Sequence, residues 1–491
     1  MRGEIVAAPI IIKPAIAEQF EKFIKSGRIL FFSAPCGFGK TVLADALLKG
    51  KRGRKVLRIN AGTDDISRLL SDAAATSGVG AAAVSAGGGV GAAAVSAGGG
   101  VHGSHTGSDS ALLGGSHGGH TASAGNWDIL VIDDLQMLQE ESDWQLLCEL
   151  IRARADRRFV LLSRGAVPGC LMAFLYTGLM TVLQAEDLLF DSEDIRKALE
   201  AYEAAVTDSE LYAIQKESIG YPLGVMITAR YMSGGKPFRP AIVAQAFREV
   251  FLYFEDAVYR RFDLPMRRFL LEIAPFENFD IEMARVVTGD PHVGRLLDWL
   301  LANTTMLRHD DMQHFSFWPQ FRSFLLWKME QEYSEEKRRA LLSRGGLYYE
   351  LKEDYAHALE CYTKGGDHSK VSELLIRNAE LHPGMGHYQE MEKYYHSLPE
   401  AEIAASPSLM QGISMLCALE MDFEGSERWY RRLQEFSSRC GKQDAAGKQA
   451  RGRLAWLDIS LPQRGVENLT TTIPAVFRML TKKELVLPPF S

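Results

Sequence analysis

Residues 29–41 read ILFFSAPCGFGKT, and this stretch decides the fold of the chain. The apolar run Ile29–Ser33 predicts a buried strand, and residues 42–48 have the spacing of a helix. Between them lies a phosphate-binding loop of the Walker A type, with Ala34 in place of the usual first glycine. Glycines let successive backbone N–H groups point at a phosphate, and a helix N-terminus adds its dipole. The sequence therefore predicts a P-loop nucleotide-binding domain.

The loop and the start of the following helix supply the candidate nucleotide contacts. Lys40 is expected to reach the β- and γ-phosphates, and the Thr41 hydroxyl is expected to ligate Mg²⁺. The expected ligands are therefore ATP or ADP with Mg²⁺. The full set of candidate contacts in this segment is Gly37, Phe38, Gly39, Lys40, Thr41 and Val42.

A second apolar run, residues 129–132, leads into the acid pair Asp133 and Asp134, which has the form of a Walker B site. Ligands of open parallel sheets bind at the carboxyl ends of the strands. Asp133 is expected to hold Mg²⁺ through water, and Asp134 is expected to polarise an attacking water. An acid pair in isolation equally fits a strand-to-turn transition, but that alternative is weaker beside a Walker A loop. Asp134 and Lys40 are the catalytic candidates.

A third apolar run, residues 159–162, ends in Ser163 and Arg164. An arginine at a strand end beside the phosphate site can sense the γ-phosphate through charge-assisted hydrogen bonds. Taken alone, Arg164 equally fits a solvated loop. Residues 220–224, GYPLG, lie between two helical segments and by themselves predict only a turn.

Length and composition restrict the class of protein. The chain has 491 residues, about three domains at roughly 150 residues each. With 46% hydrophobic and 24% charged residues it is predicted to be globular, and its net charge of −7 does not favour nucleic-acid binding by the whole chain. Six cysteines are scattered without a CxxC pair, which favours a reducing, cytoplasmic location. No membrane segment is predicted.

One segment, from about residue 73 to 125, is nearly all Gly, Ala, Ser, Val and His. Residues 80–90 are repeated letter for letter at 91–101. We expect a disordered insertion, because so few large apolar side chains cannot offset the entropy of ordering a backbone. Four histidines near its end are either solvated or weak metal ligands: His102, His105, His117 and His120.

The remaining pattern predicts an α/β P-loop domain with a parallel sheet over residues 1–190, followed by all-α regions. We expect a helical subdomain at 191–245. A winged-helix-like domain is expected at 246–330, with a helix at 247–261 and a hairpin from the runs 305–308 and 314–317. Residues 331–491 are expected to form helix pairs. Four of their residues fall at the spacing of a tetratricopeptide-type repeat, although an ordinary helical hairpin also fits: Gly346, Tyr349, Ala358 and Tyr362.

The order of these segments resembles the STAND class of signalling ATPases, specifically the large LuxR-type, MalT-like regulators, over nearly the whole chain. The stretches that carry the resemblance are ILVIDDLQML, FVLLSR, LQAEDLLFDSEDIRKAL, GYPLGVMITARY, LPMRRFLLEIAPFENFDIEMARVVTG and ALECYTKGGDHSKVSELL. The resemblance implies a switch that is closed with ADP and self-associates when ATP and an inducer bind, with slow ATP hydrolysis. It also implies that Arg164 is the sensor and that Pro222 lies near the adenine.

The sequence departs from that family at three places. The glycine-rich insertion lies where the family has compact structure, and Trp318-Pro319 stands where family members tend to have a His-His pair. The C-terminal helix-turn-helix DNA reader is not found. Residues 480–484 resemble its beginning, yet the sequence stops at Ser491, too soon for a three-helix fold. A truncated product is therefore one interpretation of this sequence. DNA contact is accordingly expected only through a reader absent from this chain, and the inducer, a small molecule or a protein, is not identified.

Two other classes of protein are alternatives to the signalling switch. One is a catalytic P-loop enzyme such as a kinase, with the helical region as a substrate or peptide-binding domain. The other is a scaffold with an inactive nucleotide site, which Lys40, Thr41 and Asp133 disfavour. No second cluster of basic or nucleophilic residues for a phosphoryl acceptor is evident in the sequence, and this favours the switch over the kinase.

Overall fold

A five-stranded parallel sheet organises the first part of the chain. In this computed structural model the described residues are 9–50, 53–64, 127–138, 140–310, 314–381, 386–441 and 443–461, with a few isolated positions beside them. The predicted insertion at 73–125 with its histidines, and residues 480–484, lie outside the described residues. The strands are β1 Ile29–Ser33, β2 Val56–Asn60, β3 Ile129–Asp133, β4 Arg158–Ser163 and β5 Met180–Gln184.

The strand order is β2-β3-β4-β1-β5, and every neighbouring pair is parallel. Strand β1 lies between β4 and β5, so both of its edges are hydrogen bonded and all five of its residues are buried. On one face Phe31 packs with Leu130 and Phe159, and Trp127 meets the Phe159 ring edge-on at 5.7 Å. The predicted α/β fold with a parallel sheet is confirmed.

Nine α-helices lie before, between or after these strands in the described chain up to residue 257. Asp191 caps α6 by accepting a hydrogen bond from the Asp194 amide, as an acidic helix start predicts. The helices are α1 Pro14–Ser26, α2 Lys40–Lys49, α3 Glu141–Ala153, α4 Met172–Tyr176, α5 Ala185–Leu188, α6 Ser192–Glu200, α7 Asp208–Ser218, α8 Pro222–Met232 and α9 Pro240–Ala257.

Helix α9 differs from its prediction at both ends. The helix expected at 247–261 begins earlier, because Pro240 occupies the first turn, where its missing N–H is not needed. It ends at Ala257, and Tyr259–Arg261 form a separate 3₁₀ turn. The first turns, residues 240–246, are also apolar, and Val243 and Ala246 among them are buried, so the apolar pattern of the helix extends farther toward its N-terminus than the prediction did.

The helices and strands from Leu264 onward are α10 Leu264–Ile273, α11 Ile281–Thr288, α12 Val293–Asn303, β6 Leu307–His309, β7 Phe315–Phe317, α13 Pro319–Glu332, α14 Glu335–Leu351, α15 Tyr355–Gly365, α16 His368–Leu381, α17 Gly386–Ser397, α18 Glu400–Ala404, α19 Pro407–Leu419, α20 Phe423–Arg439 and α21 Ala445–Ser460. The Asp310 amide donates to the His314 carbonyl at 3.0 Å across the turn between β6 and β7. This is the helix-then-hairpin order that the sequence predicted.

The described chain divides into two compact units. One comprises the residues up to Phe262 together with Leu297–Arg308, and the other comprises Asp263–Leu296 together with the residues from His309 onward. The predicted boundaries at residues 190, 245 and 330 stay predictions. Among the described helices, none is both long and apolar enough to cross a bilayer.

Phenylalanine rings fill part of the second unit's core. Phe279 and Phe315 exchange two backbone hydrogen bonds, of 3.0 and 2.7 Å, and their rings lie 5.8 Å apart. Phe317 is 5.7 Å from Phe279 and 5.9 Å from Phe321, measured between ring centres. Rings at these separations stabilise beyond their buried area, by about 0.5–1.5 kcal/mol per pair. These contacts tie β7 to the start of α13 and to the segment before α11.

Small residues let the later helices approach one another closely. A Cβ added at Gly346 of α14 would lie 2.7 Å from the nearest ring atom of Tyr362 on α15. Tyr362 is buried, and its hydroxyl donates to Glu350 at 2.9 Å. Farther along the chain, a Cβ added at Gly412 of α19 would lie 2.3 Å from the hydroxyl oxygen of Tyr395 on α17. The helices therefore pack in pairs through a small residue against an aromatic ring, and the tetratricopeptide assignment stays a prediction.

Replacing Gly346 by alanine is expected to destabilise the protein by about 1–3 kcal/mol, because the buried Tyr362 ring must shift. Thermal unfolding followed by circular dichroism measures the effect as a lower Tm. The matched control is Gly294→Ala in α12, where an added Cβ meets nothing within 4 Å. An equal or higher Tm for Gly346→Ala would show that the ring does not limit this approach.

Candidate nucleotide-binding site

The P-loop connects β1 to α2, and two of its glycines have a backbone that favours glycine. Gly37 has φ 78° and Gly39 has φ 76°, both in the left-handed region. Gly39 is the N-cap of α2 and brings no side chain to the helix end. Amide groups of the first turn of a helix have no partner within the helix, and the helix dipole is positive there. The loop therefore presents donors to an anion such as a phosphate.

Lys40 lies within this loop. Its residue is 8% exposed, and its Nζ donates to the carbonyls of Ala34 at 2.6 Å and Pro35 at 2.8 Å. Burial lowers the pKa of Lys40 to about 8. The ammonium group of Lys40, the one charged group of the loop, is therefore kept out of water at a desolvation cost. A bound polyphosphate would offset that cost by supplying opposite charge.

The Thr41 hydroxyl and the Asp133 carboxylate meet at the end of β3. Thr41 Oγ1 donates to Asp133 Oδ2 at 2.8 Å, and Asp133 Oδ1 accepts from the Asp134 amide at 2.8 Å. Hydroxyl and carboxylate oxygens are the hard donors that Mg²⁺ prefers. The residues present therefore fit a Mg²⁺ site built from Thr41 and Asp133.

Asp134 and Arg164 form an ion pair beside the loop. Arg164 Nη2 lies 3.2 Å from Asp134 Oδ1, and both side chains are about a quarter exposed. Burial opposes the charge on Arg164, but Asp134 and further neighbours outweigh it, so the pKa of Arg164 is raised. Asp134 has φ 53°, a left-handed backbone at which the chain turns sharply from β3 into a 3₁₀ turn. The arginine at the end of β4 is therefore engaged by an acid, whereas a solvated loop residue would not be.

The backbone of Arg164 is held as well. Its carbonyl accepts hydrogen bonds from the Thr305 amide at 2.7 Å and from Thr305 Oγ1 at 2.9 Å. Its guanidinium also donates to the Ala257 carbonyl at 3.4 Å. Arg164 thus connects the acid pair to the end of α9 and to the segment that follows α12.

The GYPLG segment lies against the P-loop. The Tyr221 hydroxyl donates to the Cys36 carbonyl at 3.0 Å, and the Leu223 amide donates to the Gly37 carbonyl at 3.2 Å. A Cβ on Gly37 would lie 1.7 Å from the Tyr221 oxygen, so only glycine fits there. Pro222 is buried in the first turn of α8 between these two contacts.

Two buried groups in this region keep their protons. Burial raises the pKa of Tyr221 well above its ordinary value, so the hydroxyl stays protonated and remains a donor. Burial also raises the pKa of the Cys36 thiol to about 11. The contact between the GYPLG segment and the loop is consequently insensitive to pH in the neutral range.

The structure brings together most of the residues that the sequence singled out. Lys40, Thr41, Asp133, Asp134 and Arg164 all lie at the carboxyl edge of the sheet. Phe38 is buried and packs edge-on against the Tyr221 ring at 5.3 Å. Val42 is 52% exposed, and its part in binding stays a prediction.

The sequence did not single out three residues that the structure places here. Gln136 contacts Asp134 and Arg164, Thr305 contacts Arg164, and the Tyr221 hydroxyl contacts Cys36. Tyr221 and Gln136 lie within stretches that resemble the MalT-like family, and this was the only signal that pointed toward them. Thr305 is only the start of the predicted hairpin run 305–308, which does not point to a contact with Arg164.

Comparison with known proteins identifies one domain. Residues 255–337 match the family model of the MalT winged helix domain. The chain therefore carries a MalT-like winged helix at residues 255–337, and the resemblance inferred from the sequence is confirmed there. No curated protein matches the chain.

Three solved structures that match the chain are distant from it in sequence. A STAND protein with a tetratricopeptide repeat sensor from Pyrococcus horikoshii is 12% identical, with a TM-score of 0.34; the match covers 97% of this chain but only 65% of that one. A Walker-type ATPase of Pyrococcus abyssi is 14% identical, with a TM-score of 0.43, over 64% of this chain and 96% of that one. The RuvB Holliday junction branch migration motor of Thermotoga maritima is 14% identical, with a TM-score of 0.33, over 64% and 95%.

Replacing Tyr221 by phenylalanine is expected to destabilise the protein by about 1–2 kcal/mol, because the buried Cys36 carbonyl loses its donor. Urea denaturation measures the change as a lower midpoint. The matched control is Tyr212→Phe, whose ring is 68% exposed and which should leave the midpoint unchanged. Equal midpoints for the two variants would contradict the assigned hydrogen bond.

Proposed function

We propose that this chain is an ATP-binding, STAND-type signalling switch of a LuxR-class, MalT-like transcriptional regulator. The observation that carries the proposal is the meeting of Lys40, Thr41 and Asp133 at one sheet edge, in a chain that continues into a MalT-type winged helix. The proposed cycle comprises binding of ATP, self-association in the presence of an inducer, and slow hydrolysis to ADP. The cytoplasm, where ATP and DNA are both accessible, is the proposed location.

Nucleotide binding would use groups that are already in place. The loop amides would receive the β-phosphate, and Lys40 would exchange the Ala34 and Pro35 carbonyls for phosphate oxygens. Thr41 and Asp133 would hold Mg²⁺, which supplies charge neutralisation at the β- and γ-phosphate oxygens. Pro222 is proposed to lie near the adenine, because the GYPLG segment is held against the loop on both sides of it.

Hydrolysis is proposed to be slow for an electrostatic reason. Asp134 is the acid placed to accept a proton from the attacking water, but Arg164 is paired with it in this structure. A carboxylate that is engaged by a guanidinium must lose that contact before it can act freely as a base. The same arginine is the proposed γ-phosphate sensor, so only the ATP-bound molecules in which Arg164 has left Asp134 for the phosphate would have a free base.

Arg164 also offers a route from nucleotide to output. Thr305 donates two hydrogen bonds to the Arg164 carbonyl and lies within the range that matches the winged helix domain. A shift of Arg164 toward a γ-phosphate would therefore displace Thr305 or break these hydrogen bonds. The helix pairs from α14 onward are proposed as a tetratricopeptide-like sensor for an inducer, which is a small molecule or a protein. DNA would be bound by a reader outside this chain.

Titration calorimetry with Mg²⁺ and ATP, or with Mg²⁺ and ADP, tests the proposal. Lys40→Met is expected to weaken binding at least about tenfold, because the phosphates lose a charge-assisted partner inside the loop. The matched control is Lys49→Met, at the exposed end of the same helix, which should bind like the wild type. Equal affinities for wild type and Lys40→Met would overturn the nucleotide assignment.

Nucleotide binding is also expected to take up protons above neutral pH. Lys40 in the free protein has a pKa of about 8, and phosphate oxygens beside it would raise that value. At pH 8 about half a proton should therefore be bound per nucleotide, and affinity should fall as the pH rises through 8. Calorimetry in buffers of different ionisation enthalpy measures this uptake. Lys40→Met should remove it, and an unchanged uptake in that variant would assign the protons elsewhere.

A further inference from the structure

Gln136 joins the two charged groups of the site across neighbouring strands. It lies in the 3₁₀ turn Leu135–Met137, directly after β3. Its Nε2 donates to Asp134 Oδ1 at 2.9 Å, and its Oε1 accepts from the backbone amide of Arg164 at 2.9 Å. Strands β3 and β4 are hydrogen-bonded neighbours, so one carboxamide spans the gap between their ends.

The partners fix the orientation of this carboxamide. A backbone N–H can only donate, so the oxygen of Gln136 must face Arg164. An ionised carboxylate can only accept, so the nitrogen must face Asp134. Neither aspartate, glutamate, asparagine nor methionine satisfies both demands at this length. The site therefore requires the functional groups of glutamine in this place.

Both contacts to the Asp134 carboxylate fall on the same oxygen. Gln136 Nε2 and Arg164 Nη2 each approach Oδ1, at 2.9 and 3.2 Å. Neither of these two donors occupies Oδ2. If Arg164 turns toward a γ-phosphate, the glutamine contact still holds Oδ1 and leaves Oδ2 as the acceptor for a water proton.

We propose that Gln136 is a positioning residue for ATP hydrolysis, which orients Asp134 and fixes the backbone of the Arg164 sensor. This rests on the proposed function. In the step that it serves, the water oxygen bonds to the γ-phosphorus and a water proton passes to Asp134 Oδ2. The bond from the γ-phosphorus to the bridging oxygen breaks, and its electron pair leaves with ADP.

Two variants separate the two contacts. Gln136→Met keeps the side-chain length and removes both hydrogen bonds. Gln136→Glu keeps an acceptor for the Arg164 amide but sets a second carboxylate beside Asp134. The matched control is Gln145→Glu, an exposed position on α3 with the same change of charge.

Hydrogen exchange of the nucleotide-free protein gives the first readout. The Arg164 amide should exchange at least about fivefold faster in Gln136→Met than in the wild type, because it loses its acceptor. Gln136→Glu and Gln145→Glu should exchange like the wild type. This measurement needs no bound nucleotide, so it tests the placement of Gln136 even if the proposed function fails.

The comparison of kcat with the Kd for ATP gives the second readout. In both Gln136 variants kcat should fall about tenfold or more, while the Kd for ATP with Mg²⁺ changes less than about threefold. A purely structural glutamine would lower kcat and the affinity for ATP together, because distortion of the site affects both.

The outcomes distinguish the two levels of the proposal. A wild-type protein that binds no ATP would overturn the proposed function. A wild type that hydrolyses ATP, with Gln136 variants that share its kcat, would overturn the role of Gln136. Equal loss of activity in Gln145→Glu would show a general effect of added charge and would also overturn it.

Discussion

Parallel pairing of three neighbouring strands is the constraint on which the site depends. Ser33 at the end of β1 lies opposite Ser163 at the end of β4, and Ile132 of β3 lies opposite Leu161. The three strands therefore end at nearly the same level. The P-loop, the acid pair and the sensor arginine each follow one of these ends, so they emerge at a single edge. If the register of one strand shifted by one residue, the side chains of that strand would point to the opposite face of the sheet.

The sequence predicted the parts of the fold that bury apolar side chains on both faces. The strands β1, β3 and β4 were predicted to within one residue at each end, because strands covered on both sides read as continuous apolar runs. Lys40, Thr41 and Asp133 were also found, since the spacing of a phosphate loop and the position after a buried strand are local properties. The register of the sheet then brings these local signals together.

Contacts between distant segments could not be predicted in the same way. Tyr221 and Cys36 are 185 residues apart in sequence. A tyrosine before a proline gives no sequence signal that predicts which group its hydroxyl will contact. The Arg164–Asp134 pair was expected as two separate groups facing a phosphate. Their mutual contact depends on the left-handed turn at Asp134, a backbone conformation that an aspartate permits but does not require. Thr305 is likewise identified only by the hydrogen bonds that it makes.

Cys36, in the middle of the P-loop, has a chemical consequence of its own. The thiolate is the form that reacts with oxidants and alkylating agents, and a thiol whose pKa is raised to about 11 carries almost none of it near neutrality. Its side chain is also buried, so a reagent in solution does not reach the sulfur. A loop with a cysteine beside its glycines is therefore protected against oxidative damage by its own packing, and that protection is lost when the packing around Tyr221 and Phe38 opens.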